Sequence, residues 1–205
     1  MPCHRLIYFL LLSCGLLTLN GCIRGKTPPA QFYLLEPISR SGSSDRGLAE
    51  KPVIALGPVR IPRYIDRPQI VTATAKNAYQ LSELHRWAES LDDNILRVLA
   101  QNLNQLASAN TVLASGSNRG REAKLRVSVT ILEFHVDPQG QAGLTAQWQI
   151  TGAEQVQQSR QVAYHLPAST TDYRVMVTAL NDCLNQMSRE LAEALRLALA
   201  EGRKP

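Results

Sequence analysis

Among the side chains able to do chemistry, Cys22 has the most telling setting: it closes an apolar run, Leu6 to Leu19, through Asn20 and Gly21. A thiol is a nucleophile, and a glycine before it leaves the backbone open to an enzyme. The other cysteines offer less. Cys3 and Cys14 lie in the same N-terminal stretch, so Cys183 stands apart in the rest of the chain, and no internal disulfide is expected. Cys183 falls on an apolar helical face, where a buried, inert thiol is expected. His85, His135 and His165 have no second ligand at a spacing such as H-E-x-x-H or C-x-x-C, so neither a metal nor a cofactor is expected. There is no G-x-S-x-G elbow and no P-loop, and Asp92-Asp93 is better explained by the positive end of a helix than by acid–base work. No catalytic constellation emerges, and the chain does not read as an enzyme.

Leu19-Asn20-Gly21-Cys22 resembles the lipobox of bacterial lipoprotein signals, with Met1 to Arg5 as the charged n-region and Leu6 to Leu19 as the h-region. The resemblance implies cleavage before Cys22 and transfer of diacylglycerol to its thiol as a thioether. Asn20 departs from the small or hydroxylated residue usual at its position. As a membrane-spanning anchor the run is too short: about fourteen residues, interrupted by Ser13, Gly15 and Thr18, against the ~20 a helix needs. One acyl chain gives marginal membrane residence, whereas several chains on one residue, palmitate among them, hold a protein for long periods. The residue after the cysteine is Ile23 rather than the aspartate that favours inner-membrane retention. This implies an outer-membrane anchor with the protein facing the periplasm of a Gram-negative cell. The expected organisation is a signal peptide over 1–21, a lipidated tether over 22–30 stiffened by Pro28-Pro29, and a single domain over 31–205.

The positions that matter must be held by elements legible from periodicity. Gln31 to Glu36 and Val53 to Ile61 have strand composition, the latter punctuated by Gly57-Pro58 and Pro62, which predicts a bent or edge strand. Ser39 to Lys51 is serine, glycine and charge, and reads as a mobile surface loop. Ile70 to Ala75 and Ala78 to Leu81 flank Lys76-Asn77 as a hairpin. Ser90-Leu91-Asp92-Asp93 is a capping-box-like start, followed by a stripe of Ile95, Leu96, Leu99, Leu103 and Leu106, with Asn110 as a left-handed cap. Thr111 to Ala114 reads as a short strand. Lys124 to Val136 alternates, then changes phase near Ile131-Leu132, which predicts a bulge; two more alternating strands follow the Asp137–Gly140 turn as a meander. A second helix runs from Thr171 to about Glu201, and its far end, Ala192 to Ala200, is a candidate for contact with another subunit, hence a homo-oligomer. The fold class expected is α+β: an antiparallel or mixed sheet with two principal helices packed on it. The formal net charge of +5 falls by one once Arg5 leaves with the signal, and the basic residues are scattered, so no nucleic-acid face is indicated.

Phe32-Tyr33-Leu34-Leu35, the block Ile61-Pro62-Arg63-Tyr64-Ile65-Asp66-Arg67-Pro68-Gln69-Ile70-Val71 and Arg86-Trp87-Ala88-Glu89-Ser90-Leu91 together resemble the auxiliary lipoproteins of ABC-type lipid transporters, the PqiC- and YmbA-like family. Ser90 replaces the proline usual before the last leucine. The resemblance implies a non-enzymatic accessory of an MCE-type lipid transport system, with an MCE-domain protein as partner. Arg63, Tyr64, Asp66, Arg67, Arg86 and Trp87 are the candidate partner-binding residues, since exposed aromatic and basic loop residues make contacts. Their other reading stays open: a buried Tyr64 with a structural Asp66–Arg67 pair shaping a turn, and a Trp87 that is simply core. Rival functions are a structural lipoprotein of another envelope assembly and a periplasmic hydrolase with an unrecognised site.

Overall fold

β6 (Leu125–Val136) is the strand that the rest of the sheet shares. Its Leu125, Val127, Val129 and Ile131 turn to one face; after a register shift between Ile131 and Glu133 the inward positions become Phe134 and Val136. The extra residue restores the apolar side chains to the core face, as the change of phase requires. The computed structural model describes residues 28–39, 51–107, 109–113, 123–152 and 155–201. Cys22, the signal and most of the Ser39–Lys51 loop lie outside them.

On one edge of β6 runs β7 (Gln141–Gly152), antiparallel, and beyond it β8 (Gln155–Pro167), also antiparallel: the expected meander. The β6–β7 turn is held by Asp137, whose Oδ1 accepts from the amides of Gln139 and Gln141 at 2.9 and 2.8 Å, and by Gly140 at φ +74°. The other edge of β6 takes two strands in succession. β2 (Val53–Arg60) pairs with its first half in parallel, and β3 (Gln69–Ala75) meets its end at Thr72–Val136. β3 and β4 (Ala78–Trp87) form the hairpin around Lys76-Asn77, with Asn77 at φ 63°, a conformation asparagine tolerates. β1 (Gln31–Tyr33) lies parallel to β4, and β5 (Asn110–Leu113) parallel to β2. The sheet is therefore mixed, with eight strands among the described residues. β2 is bent as expected, its register shifting between Leu56 and Val59 around Gly57-Pro58; its first half is no edge, since it lies between β5 and β6.

α1 (Leu91–Leu106) and α2 (Tyr173–Glu201) pack side by side on one face of this sheet. Ile95, Val98, Leu99 and Leu103 of α1 and Met176, Leu180, Leu184, Met187, Leu191 and Leu195 of α2 are fully or almost fully buried, at about 1.5–3 kcal/mol for each large side chain removed from water. The opposite, open face carries the alternate, polar positions of β6 and β7, among them Thr130, Thr145, Gln147 and Gln149.

Two local expectations are corrected. Ser90 does not cap α1 through its side chain: its hydroxyl donates to the Asp93 carboxylate at 2.6 Å, and its oxygen accepts from no amide of the first turn. Asn110 is not a helix cap; α1 ends at Ala107 in right-handed geometry, and Asn110 opens β5 with its N–H on the Pro52 carbonyl at 2.9 Å. At the far end of α2, Ala192, Ala194 and Leu195 pack in the core and Leu197 is exposed. α2 itself starts at Asp172, whose Oδ1 accepts from the amides of Arg174 and Val175.

Candidate partner-docking surface

The Arg63–Arg67 segment is a tight turn built on Pro62, whose carbonyl accepts from the amides of Ile65 and Asp66 at 3.1 and 3.2 Å. Ile65 is buried and pins the turn, so Arg63, Asp66 and Arg67 face solvent. The Asp66–Arg67 pair considered from the sequence does not form. Arg67 instead donates from Nη2 to the Arg63 carbonyl at 3.3 Å, since that carbonyl already lies within the turn. The Arg63 guanidinium has no hydrogen-bond or ion-pair partner among the described residues.

Tyr64 points back from this turn onto the open face. Its hydroxyl shares a 3.1 Å hydrogen bond with Nδ1 of His135 on β6, and its ring lies 5.0 Å from that of Tyr79 on β4. Tyr79 in turn meets His135 edge-on, with centroids 5.3 Å apart and planes at 86°, the geometry favoured by ring quadrupoles. Burial holds the Tyr64 phenol up at about 12, with neighbouring Tyr79 adding to it, and burial pushes the His135 imidazole below its ordinary range. Tyr64 and His135 are therefore both uncharged at neutral pH. Tyr79 remains 47% exposed, and Leu81, two residues along the same strand, also faces out. An exposed aromatic ring is thus propped from behind by the residue that follows Arg63 in the turn.

Arg86 and Trp87 lie at the other end of β4. Trp87 is 6% exposed and packs against Phe134, so of its two readings the core one holds, and it is withdrawn as a contact residue. Arg86 donates to the Glu83 carbonyl at 3.1 Å and to its carboxylate at 2.9 Å, an exposed pair of small energetic weight. Opposite Arg86 in the parallel register stands Phe32. On the other face of the same strands Tyr33 shares a 2.7 Å hydrogen bond with His85 Nδ1, and His85 stacks on Tyr173 of α2 at 3.9 Å. A cavity of about 360 Å³ opens there, lined by Gln31, Tyr33, His85, Asp172, Tyr173 and Arg174.

The Arg63–Arg67 turn runs into Pro68, whose carbonyl accepts from the Trp87 amide at 2.7 Å, and Gln69 pairs with Arg86, so the backbone of the turn meets the Arg86–Trp87 end of β4 while the Tyr64 ring reaches Tyr79; Cys22 lies outside the described residues. Tyr79, His135 and Phe32 were missed. The signal for Tyr79 was an aromatic residue next to the Lys76-Asn77 turn of the hairpin; nothing local marks His135, which reaches Tyr64 across 71 positions. Cys183 is fully buried, its thiol near the carbonyls of Ala142 and Tyr164 and pushed up to about 11 by burial. Among the described residues no three His, Cys, Asp or Glu side chains gather as a metal site, and no helix is long and apolar enough to cross a membrane.

Comparison with known proteins bears on this surface. The model of the family described as ABC-type transport auxiliary lipoprotein component matches residues 33–192. No curated protein matches the chain. Two solved structures share the fold. One is an uncharacterized protein with 21% identity, spanning 82% of this chain and 99% of its own, at a TM-score of 0.68. The other is protein XCC0632 from Xanthomonas campestris, with 17% identity over 85% of this chain and 100% of its own, also at 0.68.

Proposed function

Because this chain belongs to the family of ABC-type transport auxiliary lipoprotein components, we propose that it is a non-enzymatic accessory of an MCE-type lipid transport system, anchored in the outer membrane through acylated Cys22. The domain faces the periplasm, and its open sheet face around the Arg63–Arg67 turn and Tyr79 receives an MCE-domain protein. The observation that carries this reading is the exposed Tyr79 ring, braced by Tyr64 and His135, with Tyr64 carried on a turn whose Arg63 guanidinium has no partner among the described residues. Rigid aromatic area and a free guanidinium are what central interface contacts are made of. Family resemblance supports the transport role, and the Leu19–Cys22 pattern supports the anchor.

Affinity capture of the intact lipoprotein from detergent extracts tests it. An MCE-domain protein is expected to co-purify, and charge reversal at Arg63 and Arg67 is expected to reduce its recovery while the domain keeps its cooperative thermal transition. Recovery of a barrel-assembly component or a cell-wall synthase in its place would assign the protein to another envelope assembly. Loss of the thermal transition in the reversed variant would show those arginines to be structural.

A further inference from the structure

We propose that the β1 edge is the face this protein lays against the membrane, with Phe32 and Leu34 reaching into the headgroup region of a phospholipid bilayer. The proposal rests on the reading of Cys22 as the acylated anchor. From Phe32 to Leu35 the chain alternates: Tyr33 and Leu35 turn inward, with Leu35 1% exposed, while Phe32 and Leu34 are 63% and 44% exposed. The segment is held, not frayed. Tyr33 bonds His85, the Leu35 amide donates to Asn94 Oδ1 and the Glu36 amide to Asn181 Oδ1, each at 2.8 Å, so neither outward side chain can turn in to bury itself.

The position of this apolar pair along the chain selects its occupant. Nine residues lead from Cys22 to Gln31, and a stretch of that length reaches at most about 30 Å when fully extended. A bilayer holding the Cys22 acyl chains is therefore within that distance of β1. Between Cys22 and Leu35 the sequence has Arg24 and Lys26 and no acidic residue; Arg86, opposite Phe32 in the β1–β4 register, is paired with Glu83. Basic residues in the chain that leads to an exposed aromatic and an exposed aliphatic side chain suit an anionic phospholipid surface, where cations meet phosphates and apolar groups enter the acyl boundary. Among the other exposed apolar side chains of the described residues, Tyr79 and Leu81 are on β4, Leu132 on β6, Val156 on β8 and Val175 and Leu197 on α2, all farther along the chain from Cys22 than Phe32 and Leu34.

The test uses the acylated full-length protein, its Cys22 modification confirmed by mass, in vesicles of phosphatidylethanolamine and phosphatidylglycerol that carry lipid brominated along its acyl chains. Phe32→Trp introduces a reporter over two native tryptophans, Trp87 and Trp148, that are buried and supply a measured background. The added emission is expected to shift to the blue and to lose most of its intensity in brominated vesicles, while that of Val156→Trp does neither. Floating protein whose Phe32→Trp emission is unquenched overturns the proposal. A blue shift without quenching also overturns it, because a second copy or the transport partner then covers Phe32. Equal quenching at both positions overturns it by showing that no face is preferred. Failure to float with vesicles overturns the anchor reading itself, and with it this face, and is told apart from the other outcomes by the flotation alone.

Discussion

Asn94 of α1 holds Leu35 by both of its backbone polar atoms: its Oδ1 accepts from the Leu35 amide at 2.8 Å and its Nδ2 donates to the Leu35 carbonyl at 3.3 Å. Two more asparagines continue the pattern. Asn181 of α2 accepts from the Glu36 amide and Asn102 of α1 from the Ile38 amide, each at 2.8 Å. Asn102 also donates to Asn185 and Ser188, tying the helices together. The chain leaving β1 has no strand partner here, and buried peptide groups must be satisfied somewhere. Side-chain amides, with a donor and an acceptor each, take the place of a ladder. The segment leaving β1, from Leu35 to Ile38, is thereby fastened to both helices.

Replacing Asn94 with alanine leaves the buried Leu35 amide and carbonyl without partners. At about 1–3 kcal/mol for a buried unsatisfied group, partly relieved by relaxation of an exposed neighbouring segment, the expected loss is about 2–4 kcal/mol. Urea unfolding of the unacylated Cys22→Ser chain measures it. Hydrogen exchange of the Leu35 amide should accelerate well beyond that of the core strand β6. A change below about 0.5 kcal/mol, the scale of a surface substitution, would mean that the strap contributes nothing to the fold.

Cys183 makes a second, simpler prediction. Its thiol is fully buried, and burial raises it to about 11, so almost no thiolate exists at neutral pH. In the Cys22→Ser chain, alkylation of Cys183 is expected to wait on unfolding: negligible under native conditions over hours and complete in denaturant. Rapid native labelling would place the thiol at the surface and reopen its chemistry.

Periodicity made the helices and the β6–β7–β8 meander legible. Ile95, Leu99, Leu103 and Met176, Leu180, Leu184 recur at helical spacing, and each is buried; the phase change at Ile131-Leu132 marks the bulge that the pairing shows. What did not read depends on which distant strands become neighbours. β1, three residues long, finds its place only against β4, and its Tyr33 finds His85 across 52 positions. Ser90 illustrates the same limit at short range, since a capping pattern cannot say that the Asp93 carboxylate will take the hydroxyl first. The Arg63–Arg67 turn was visible as a turn, but Tyr79 and His135, which give it a surface, belong to other strands.

His135 predicts a pH dependence. Burial lowers its folded-state pKa below the 6.5 of the free side chain, against the raising effects of Glu133 and Asp137. The unfolded chain therefore takes the proton more readily, and stability from this group is fully present above about pH 6.5 and lost as pH falls through the folded value. Melting temperatures of the native protein are expected to fall more between about pH 7 and pH 5 than those of His135→Gln, with the carboxylates common to both. The imidazole resonance should titrate with a midpoint below 6.5. A midpoint above it would mean that the Tyr64–Tyr79 cluster does not shield the ring.

The last prediction separates the docking surface from the core. Tyr79 is half exposed, and truncation to alanine removes contacts with Tyr64 and His135 worth about 1 kcal/mol; the fold is expected to survive with a slightly lower melting temperature. Trp87 is buried against Phe134, and Trp87→Ala should cost about 3–5 kcal/mol. Tyr64→Phe keeps the ring and loses the bond to His135, at about 1 kcal/mol. If the open face docks a transport partner, Tyr79→Ala lowers recovery of that partner at full folding, Tyr64→Phe leaves it nearly intact, and Trp87→Ala lowers it only in proportion to the unfolded fraction. Capture yields set beside melting curves for the three variants give the answer. Full capture by folded Tyr79→Ala would remove this face from the interface, and the Tyr33–His85–Tyr173 cavity at the other end of β4 would become the next surface to vary.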